Sequence, residues 1–471
     1  MYIKQWIPLK DETNKSMNIE QVVEIQKTFF RKGNTRNFEA REANLEKLRD
    51  VVANNEKELC EAIQADFGKP YFESFSTEIY TVLHEIDHHL KNLKKWMEPD
   101  SVGSSIVTFP SKNKIYKQPL GTVLIIGAWN YPIHLTLMPL IGAISAGNTA
   151  VLKPSEIAPV TSSVLKALIS ESFDSGIIAV VEGAVDTTTE LLNQPFDKIF
   201  FTGSSRVGKI VMKAAAEQLI PVTLELGGKS PAIVHEDADI EVCARRIWWG
   251  KTINAGQTCV ATDFVAVHET VRDEFIDQSK NVLSEFFRDD YYPGENYTKI
   301  VNESHFDRLQ NLMDQSEVIF GGFSNKENLF IEPTIIQADW GSEIMQDEIF
   351  GPLMPILTYS DPSELIGRLR DRPSPLALYL FTKDAELEER VIDEVPFGGG
   401  CINETVQHLG NPNLPFGGVG SSGMGSYHGK YSFDTFSRNK SIMKKPFWPD
   451  PDFRYPPYDE MIVSWFKRIF S

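Results

Sequence analysis

The sequence predicts an α/β protein built around a doubly wound parallel sheet. Two observations carry this. Five short apolar, β-branched runs, at 122–126, 149–152, 177–181, 198–201 and 221–226, alternate with helical stretches of about ten to fifteen residues, the pattern of consecutive βαβ units. A parallel sheet needs cover on both faces, so helices must lie on each side of it. The runs also end on turns, at Trp129-Asn130, Lys153, Gly183, Gly203 and Gly227, and ligands of such sheets bind beyond the carboxyl ends of the strands.

The rest of the chain arranges itself around this layer. From Asn18 to about Trp96 the pattern is helical, with Leu45, Leu48, Val51 and Val52, then Leu83, Ile86 and Leu90, recurring on one face. A Ser/Gly-rich break at 100–105 leads into an expected hairpin with arms at 106–109 and 114–117. The α/β alternation resumes after Lys229, with strands expected at 232–234 and 264–267 and helices at 239–252 and 272–287. Gly- and Pro-rich stretches at 397–400 and 414–425 read as loops. Near the end, Ile462, Trp465, Phe466, Ile469 and Phe470 fall at helical spacing beside Lys467 and Arg468. This stripe suits packing on the body or a partner subunit, or contact with a membrane surface; it is too short to span a bilayer.

With 471 residues the chain has room for two or three domains. A net charge of −18 opposes nucleic-acid binding, which needs clustered Lys and Arg. The four cysteines form no C-x-x-C, and no H-E-x-x-H is present, so no metal site is expected. Cysteines this sparse suit a reducing compartment, and the N-terminus lacks an apolar signal core, so a cytoplasmic location is expected.

Several segments carry candidate chemistry. Cys259 stands alone between a small-residue turn and an apolar run, an arrangement that fits either an inert core thiol or a nucleophile. Glu225 sits between two leucines and before two glycines, where partial desolvation would raise its pKa and suit it to general-base work. Asn130 can serve as a helix N-cap or as an oxyanion donor. Thr202, Gly203, Ser204 and Gly208 lie on a strand-to-helix turn whose N–H groups can hold a pyrophosphate. The turn resembles a P-loop, but Ile210 stands where that motif needs a magnesium ligand; 223–230 is a second near-miss. Lys153-Pro154-Ser155-Glu156 reads equally as a helix start or as a pair of ribose ligands, with Glu156 disfavouring a 2′-phosphate. His84, His88 and His89 share one helix and read as a solvated face.

Taken together, these segments resemble the aldehyde dehydrogenase superfamily. The residues that carry the resemblance are Pro-Leu-Gly-Thr-Val at 119–123, Trp129-Asn130-Tyr131-Pro132, Lys153-Pro154-Ser155-Glu156, Phe201-Thr202-Gly203-Ser204, residues 224–228, Gly256-Gln257-Thr258-Cys259, Glu348-Ile349-Phe350-Gly351-Pro352 and Pro415-Phe416-Gly417-Gly418, in family order over nearly the whole chain. His428-Gly429-Lys430, Ser432-Phe433 and Arg454-Tyr455-Pro456-Pro457-Tyr458 are similar to the class-3 branch of fatty and aromatic aldehyde enzymes. Thr262, where that branch commonly has proline, and Arg438, where it often has histidine, depart from it.

The resemblance implies a Rossmann-like cofactor domain (1–103 and 121–226), an α/β catalytic domain (227–430), and an oligomerisation hairpin with a C-terminal tail (104–120 and 431–471). It implies NAD(P)-dependent oxidation of medium- or long-chain aliphatic or aromatic aldehydes to acids. Cys259 would be the nucleophile, Asn130 and the Cys259 N–H the oxyanion donors, and Glu225 the base that activates water. Lys153, Glu156, Thr202, Gly203, Ser204, Gly208, Glu348 and Phe350 would hold NAD, with NADP as the alternative, and Tyr131 would wall the substrate. A homodimer is implied, with weak membrane-surface contact through the C-terminal helix as a further expectation. Competing readings are a CoA-acylating enzyme, a non-catalytic family member and, more distantly, an NTPase.

Overall fold

The computed structural model describes residues 18–287, 297–458 and 460–469. All five runs of the first α/β region are strands: Thr122–Ile126, Thr149–Lys153, Ile178–Val180, Lys198–Thr202 and Val222–Glu225. They pair in parallel, and in space their order is third, second, first, fourth, fifth. The first and fourth strands are neighbours, and there the connections diverge to opposite sides, creating the crevice in which such sheets bind ligands. Alternate residues serve opposite cores. Val123, Ile125 and Phe200 face the helices Phe38–Asn54, Tyr80–Met97 and His134–Ser145, while Leu124, Ile126 and Ile199 face Ile19–Arg31 and Ser205–Glu217. Both faces are therefore dry, as a parallel sheet requires.

The second sheet has seven strands. Its parallel members are Thr334–Gln337, Leu353–Tyr359, Phe264–His268, Pro231–Val234, Ala377–Phe381 and Gly399–Ile402, in that spatial order, with Glu317–Phe320 antiparallel at the outer edge. The helices expected beside it are Ile240–Thr252 and Arg272–Phe287. Asp239 caps the first of these, accepting from Val242 N at 3.2 Å. One apolar core runs through both sheets, joining Val123 and Ile125 to Val265, Ile356 and Tyr379.

Three local expectations are corrected. Residues 106–108 form a turn, not a hairpin arm, because Ser105 and Thr108 bond to one another across it and Ser104 Oγ donates to Ser111 O. The arm is Asp100–Val102, inside the expected break, and it pairs with Lys112–Pro119; Ser437–Lys444 completes this antiparallel sheet from over 300 residues away. The stretch at 397–400 is not all loop, since Gly399 and Gly400 pair with Ala377 and Leu378. Within 414–425, Gly423–Met424 adds an antiparallel strand to the first sheet, placing Gly423 opposite Glu225.

Gly400 is required by this approach: a Cβ there would lie 1.9 Å from Leu378 O. Gly400→Ala is expected to destabilise the fold by about 1–3 kcal/mol, as overpacking of a tight contact does, read as a lower urea midpoint at unchanged slope. Of the C-terminal stripe, Ile462 is half-buried on the helix Glu460–Ile469; the side chains of Trp465, Phe466, Ile469 and Phe470 lie outside the described residues. No described helix is long and apolar enough to cross a membrane.

Candidate active site

The loop that carries Cys259 begins where the helix Ile240–Thr252 ends. Asn254, Ala255 and Gly256 follow with φ of 53°, 52° and 73°. Three left-handed residues in succession are costly and persist only when their surroundings determine them. Here Glu73 Oε1 accepts from Asn254 N at 2.7 Å, and Asn254 Nδ2 donates to Asn130 O at 2.9 Å and to Gln257 O at 3.1 Å. Gln257 Nε2 donates to Lys299 O at 2.9 Å, and its Oε1 accepts from Val301 N at 2.9 Å. A side chain at 256 would collide with Gly351 O, so only glycine fits. The loop thus presents a half-buried Cys259. Burial, then the negative charges of Glu348 and Glu225, push its thiol up to about 12, although the N–H groups of Cys259 and Val260 favour the thiolate.

Asn130 and Tyr131 reach the same loop from the first sheet. Both are buried. Asn130 Nδ2 donates to Gln257 O at 3.0 Å, and the Tyr131 hydroxyl is 2.6 Å from Thr258 Oγ1. Asn130 is not a helix cap. The helix His134–Ser145 starts later, and Glu78 caps it from elsewhere, accepting from Ile133 N at 2.9 Å and His134 N at 3.4 Å.

Glu225 ends the strand Val222–Glu225 and is 2% exposed. Neither of its oxygens has a hydrogen-bond partner among the described residues. Burial alone raises its pKa well above the usual carboxylate range. Glu348 arrives from the second sheet and lies over Gly227, where a Cβ would meet its carboxylate at 2.2 Å. Burial and Asp263 raise Glu348 to about 8. Phe350, at φ 49°, packs edge-on against Trp129 with ring centroids 5.4 Å apart.

Lys153 and Glu156 pair across 2.7 Å beyond the strand Thr149–Lys153. This is not a helix start, because the next helix begins at Pro159 and is capped by Asp66. Although burial opposes it, the Lys153 hydrogen bond keeps Glu156 below the usual carboxylate range, hence ionised. At the end of the fourth strand, Thr202 Oγ1 is buried with no partner among the described residues, Gly203 N donates to Glu225 O at 3.0 Å, and Ser204 caps the helix Ser205–Glu217. Gly208 faces the sheet; a Cβ there would meet Leu226 at 2.8 Å, so it lets the helix approach closely. The N-terminal end of the helix Ser205–Glu217, a Thr202 hydroxyl without a partner among the described residues and the ionised Glu156 all lie beyond carboxyl ends of strands of one sheet, which fits a dinucleotide.

The second P-loop-like segment does not act as one. Lys229 is held by Asp263, Ile344 O and Asp347 O, and Ser230 Oγ accepts from Ala377 N at 3.2 Å. Instead, Lys229 and Asp263 brace the segment that presents Glu348, since Asp263 also accepts from Ile349 N at 2.9 Å. A cavity of about 350 Å³ opens beside it, lined by Ser205, Gly227, Gly228, Glu348 and Arg372 among others; Cys259 and Asn130 do not line it.

Sequence reasoning missed Lys69, Glu73, Glu78 and Lys251, and it took Gln257 only as part of a motif. The groups that Lys69, Glu73 and Glu78 hold in the site loops lie about 55 to 181 positions away, so no local signal marks them. Lys251 is fully buried, its ammonium lacks a partner among the described residues, and burial lowers it to about 8 beside Asp263 and Glu348.

Comparison with known proteins finds relatives over nearly the whole chain. The profile of the Aldehyde dehydrogenase family matches residues 9–442. The chain is 48% identical over 456 residues to 4,4'-diaponeurosporen-aldehyde dehydrogenase of Staphylococcus aureus (96% of this chain, 99% of that protein). It is 46% identical to aldehyde dehydrogenase family 3 member H1 of Arabidopsis thaliana (95% and 94%). A substrate-bound structure of Staphylococcus aureus AldH superposes with a TM-score of 0.94 at 46% identity, covering 96% of this chain and all of that one.

Proposed function

The chain belongs to the aldehyde dehydrogenase family, and from that premise we propose that it turns aldehydes into acids through a covalent thioester on Cys259. It is an NAD(P)-dependent aldehyde dehydrogenase. Its cofactor is NAD, with NADP as the alternative. The observation that carries the mechanism is the buried Glu225 carboxyl, which has no hydrogen-bond partner among the described residues and whose charge bears on the Cys259 thiol.

In this reading the Cys259 thiol gives up its proton to solvent, and the thiolate Sγ attacks the aldehyde carbon. The Cys259 N–H and the second N–H of the Asn130 amide receive the oxyanion; the first is held by Gln257 O. Lys153, Glu156, Thr202, Gly203 and Ser204 hold the dinucleotide's ribose and phosphates, with Glu348 and Phe350 at the nicotinamide end and Gly208 serving the turn through close packing. The chemistry supplied by the bound dinucleotide is hydride acceptance. Loss of hydride from the tetrahedral adduct leaves a thioester. Glu225 then takes a proton from water, the hydroxide attacks the thioester carbon, and the C–S bond breaks to release the acid and the Cys259 thiol. Tyr131, fixed by Thr258, walls the substrate.

The substrate class is medium- or long-chain aliphatic or aromatic aldehydes, supported by likeness to the family 3 proteins and to an enzyme named for 4,4'-diaponeurosporen-aldehyde. A chain-length series assayed with NAD and NADP in parallel tests it; a preference for two-carbon aldehydes would refute it. Glu156 is expected to repel a 2′-phosphate. Glu156→Gln should raise kcat/KM for NADP relative to NAD by about tenfold, equivalent to ~1.4 kcal/mol, and an unchanged ratio would remove Glu156 from cofactor choice.

A homodimer is part of the proposal. The sheet of Asp100–Val102, Lys112–Pro119 and Ser437–Lys444 exposes Val102, Tyr116, Ile442 and Met443 and leaves an eight-residue edge strand for pairing. The cytoplasmic location rests on four free cysteines, which suit a reducing compartment.

A further inference from the structure

One short segment ties the two active-site loops together. Residues 69–78 cross the turn Tyr71–Ser74 and a π-helical turn, Phe75–Ile79, an irregularity frequent at functional sites. They carry Lys69, Glu73 and Glu78 inward. Glu73 holds Asn254 N, in the loop of Cys259. Glu78 Oε2 holds Ile133 N and His134 N, just beyond Asn130 and Tyr131. Its other oxygen pairs with Lys69 Nζ at 2.8 Å, and both side chains are fully buried. Besides a distant contact with the Phe67 ring at 6.0 Å, the Lys69 ammonium makes two contacts with no part in that pairing. It donates to Asn130 O at 3.3 Å and lies 4.2 Å from the centre of the Tyr131 ring.

A buried ion pair is weak evidence for stability, because desolvation offsets most of its attraction. Glu78 alone suffices to cap the helix His134–Ser145, so capping leaves the ammonium unexplained. What the ammonium adds is a fixed point for residues 130 and 131. Asn130 O receives Lys69 from one side and Asn254 Nδ2 from the other, while its amide reaches Gln257 O. We propose that Lys69 and Glu78 are a positioning pair that holds the Asn130 amide and the Tyr131 ring in register with Cys259. The inference rests on the reading of Asn130 as oxyanion donor. Neither residue touches the reacting atoms; the pair acts through Asn130 and Tyr131, and its effect falls on acylation.

The test is a double-mutant cycle read by the NADH burst. Lys69→Met alone would strand the Glu78 carboxylate, so the informative variant is Lys69→Met/Glu78→Gln, which is neutral and keeps an acceptor for Ile133 N. The burst rate per titrated Cys259 thiol is expected to fall about 100-fold, the scale of a small misplacement of a catalytic group. The NAD dissociation constant should stay within about twofold, as a loss confined to acylation requires. In an Asn130→Ala background the paired change should cost less than about threefold, since residues acting as a unit are non-additive. A wild-type burst in the paired variant, or an equal loss with and without Asn130, overturns the positioning role and leaves the thioester mechanism standing. A wild-type burst in Asn130→Ala itself overturns the oxyanion assignment and this inference with it. Should the paired variant fail to fold, Lys69→Gln keeps a donor for Glu78 while removing the charge over Tyr131, and the same rates decide.

Discussion

Cys259→Ala is expected to abolish aldehyde-dependent NADH formation, a fall on the order of 10⁴-fold or more, as loss of a covalent nucleophile produces elsewhere. The reason is chemical. An aldehyde carbonyl is a poor hydride donor, and only the tetrahedral thiol adduct releases hydride readily. The remaining cysteines cannot substitute: Cys60 and Cys243 are buried in apolar cores, and Cys401 sits beside His408 with its thiol also raised by burial. The alanine variant should still bind NAD, because Lys153, Glu156 and the Gly203 turn are untouched. Steady-state NADH production with NAD-binding titration checks both halves. Turnover above about 1% of wild type would remove Cys259 from the mechanism.

Glu225→Gln is expected to separate the two half-reactions. Acylation should survive, giving one NADH per active site, after which turnover stalls at about 10²–10⁴-fold below wild type, the usual contribution of a general base. Rapid-mixing measurement of burst and steady rates checks this; an unchanged steady rate would exclude Glu225 from deacylation. The raised pKa fixes the pH dependence. Protonated Glu225 cannot accept a proton, so wild-type turnover should rise with pH as this carboxyl ionises well above the usual carboxylate range, and the variant should lose that rise.

Stability should move the opposite way. With its folded pKa above its unfolded value, Glu225 binds the extra proton in the folded state, so stability falls as pH rises from the unfolded pKa through the folded one. Glu225→Gln should therefore gain stability over wild type on the alkaline side, visible as a higher Tm at pH 8 than wild type and little difference near pH 4. A buried base with no hydrogen-bond partner among the described residues costs stability that function retains.

Much of the sheet was legible because strand signals are local. Thr122–Ile126 was read to the residue, and the other four runs to within one at either end, since each is a short β-branched stretch closed by glycine or a polar turn. The misreadings came where partners are distant. Residues 106–109 look like a strand, yet Thr108 and the preceding Ser105 satisfy the backbone locally, while Lys112–Pro119 finds its long partner at Ser437–Lys444. Asn130 and Lys153-Pro154 resemble helix starts, but both following helices are capped from other parts of the chain, by Glu78 and Asp66.

Alternation, turn residues and motif order lie within windows of a few residues, so the sequence by itself determined the class of fold, the family and the candidate reacting groups at Cys259, Glu225 and Asn130. Burial and long-range hydrogen bonding depend on what packs against each group. Only the tertiary structure therefore decided that Glu225 is buried with no hydrogen-bond partner among the described residues, that burial above all holds the Cys259 thiol protonated, and that Gly208 serves packing. It alone brought the Lys69–Glu78 pair, roughly 60 residues before Asn130, against the loop that Asn130 shares with Cys259, because nothing in a local window records which ammonium will lie over which ring.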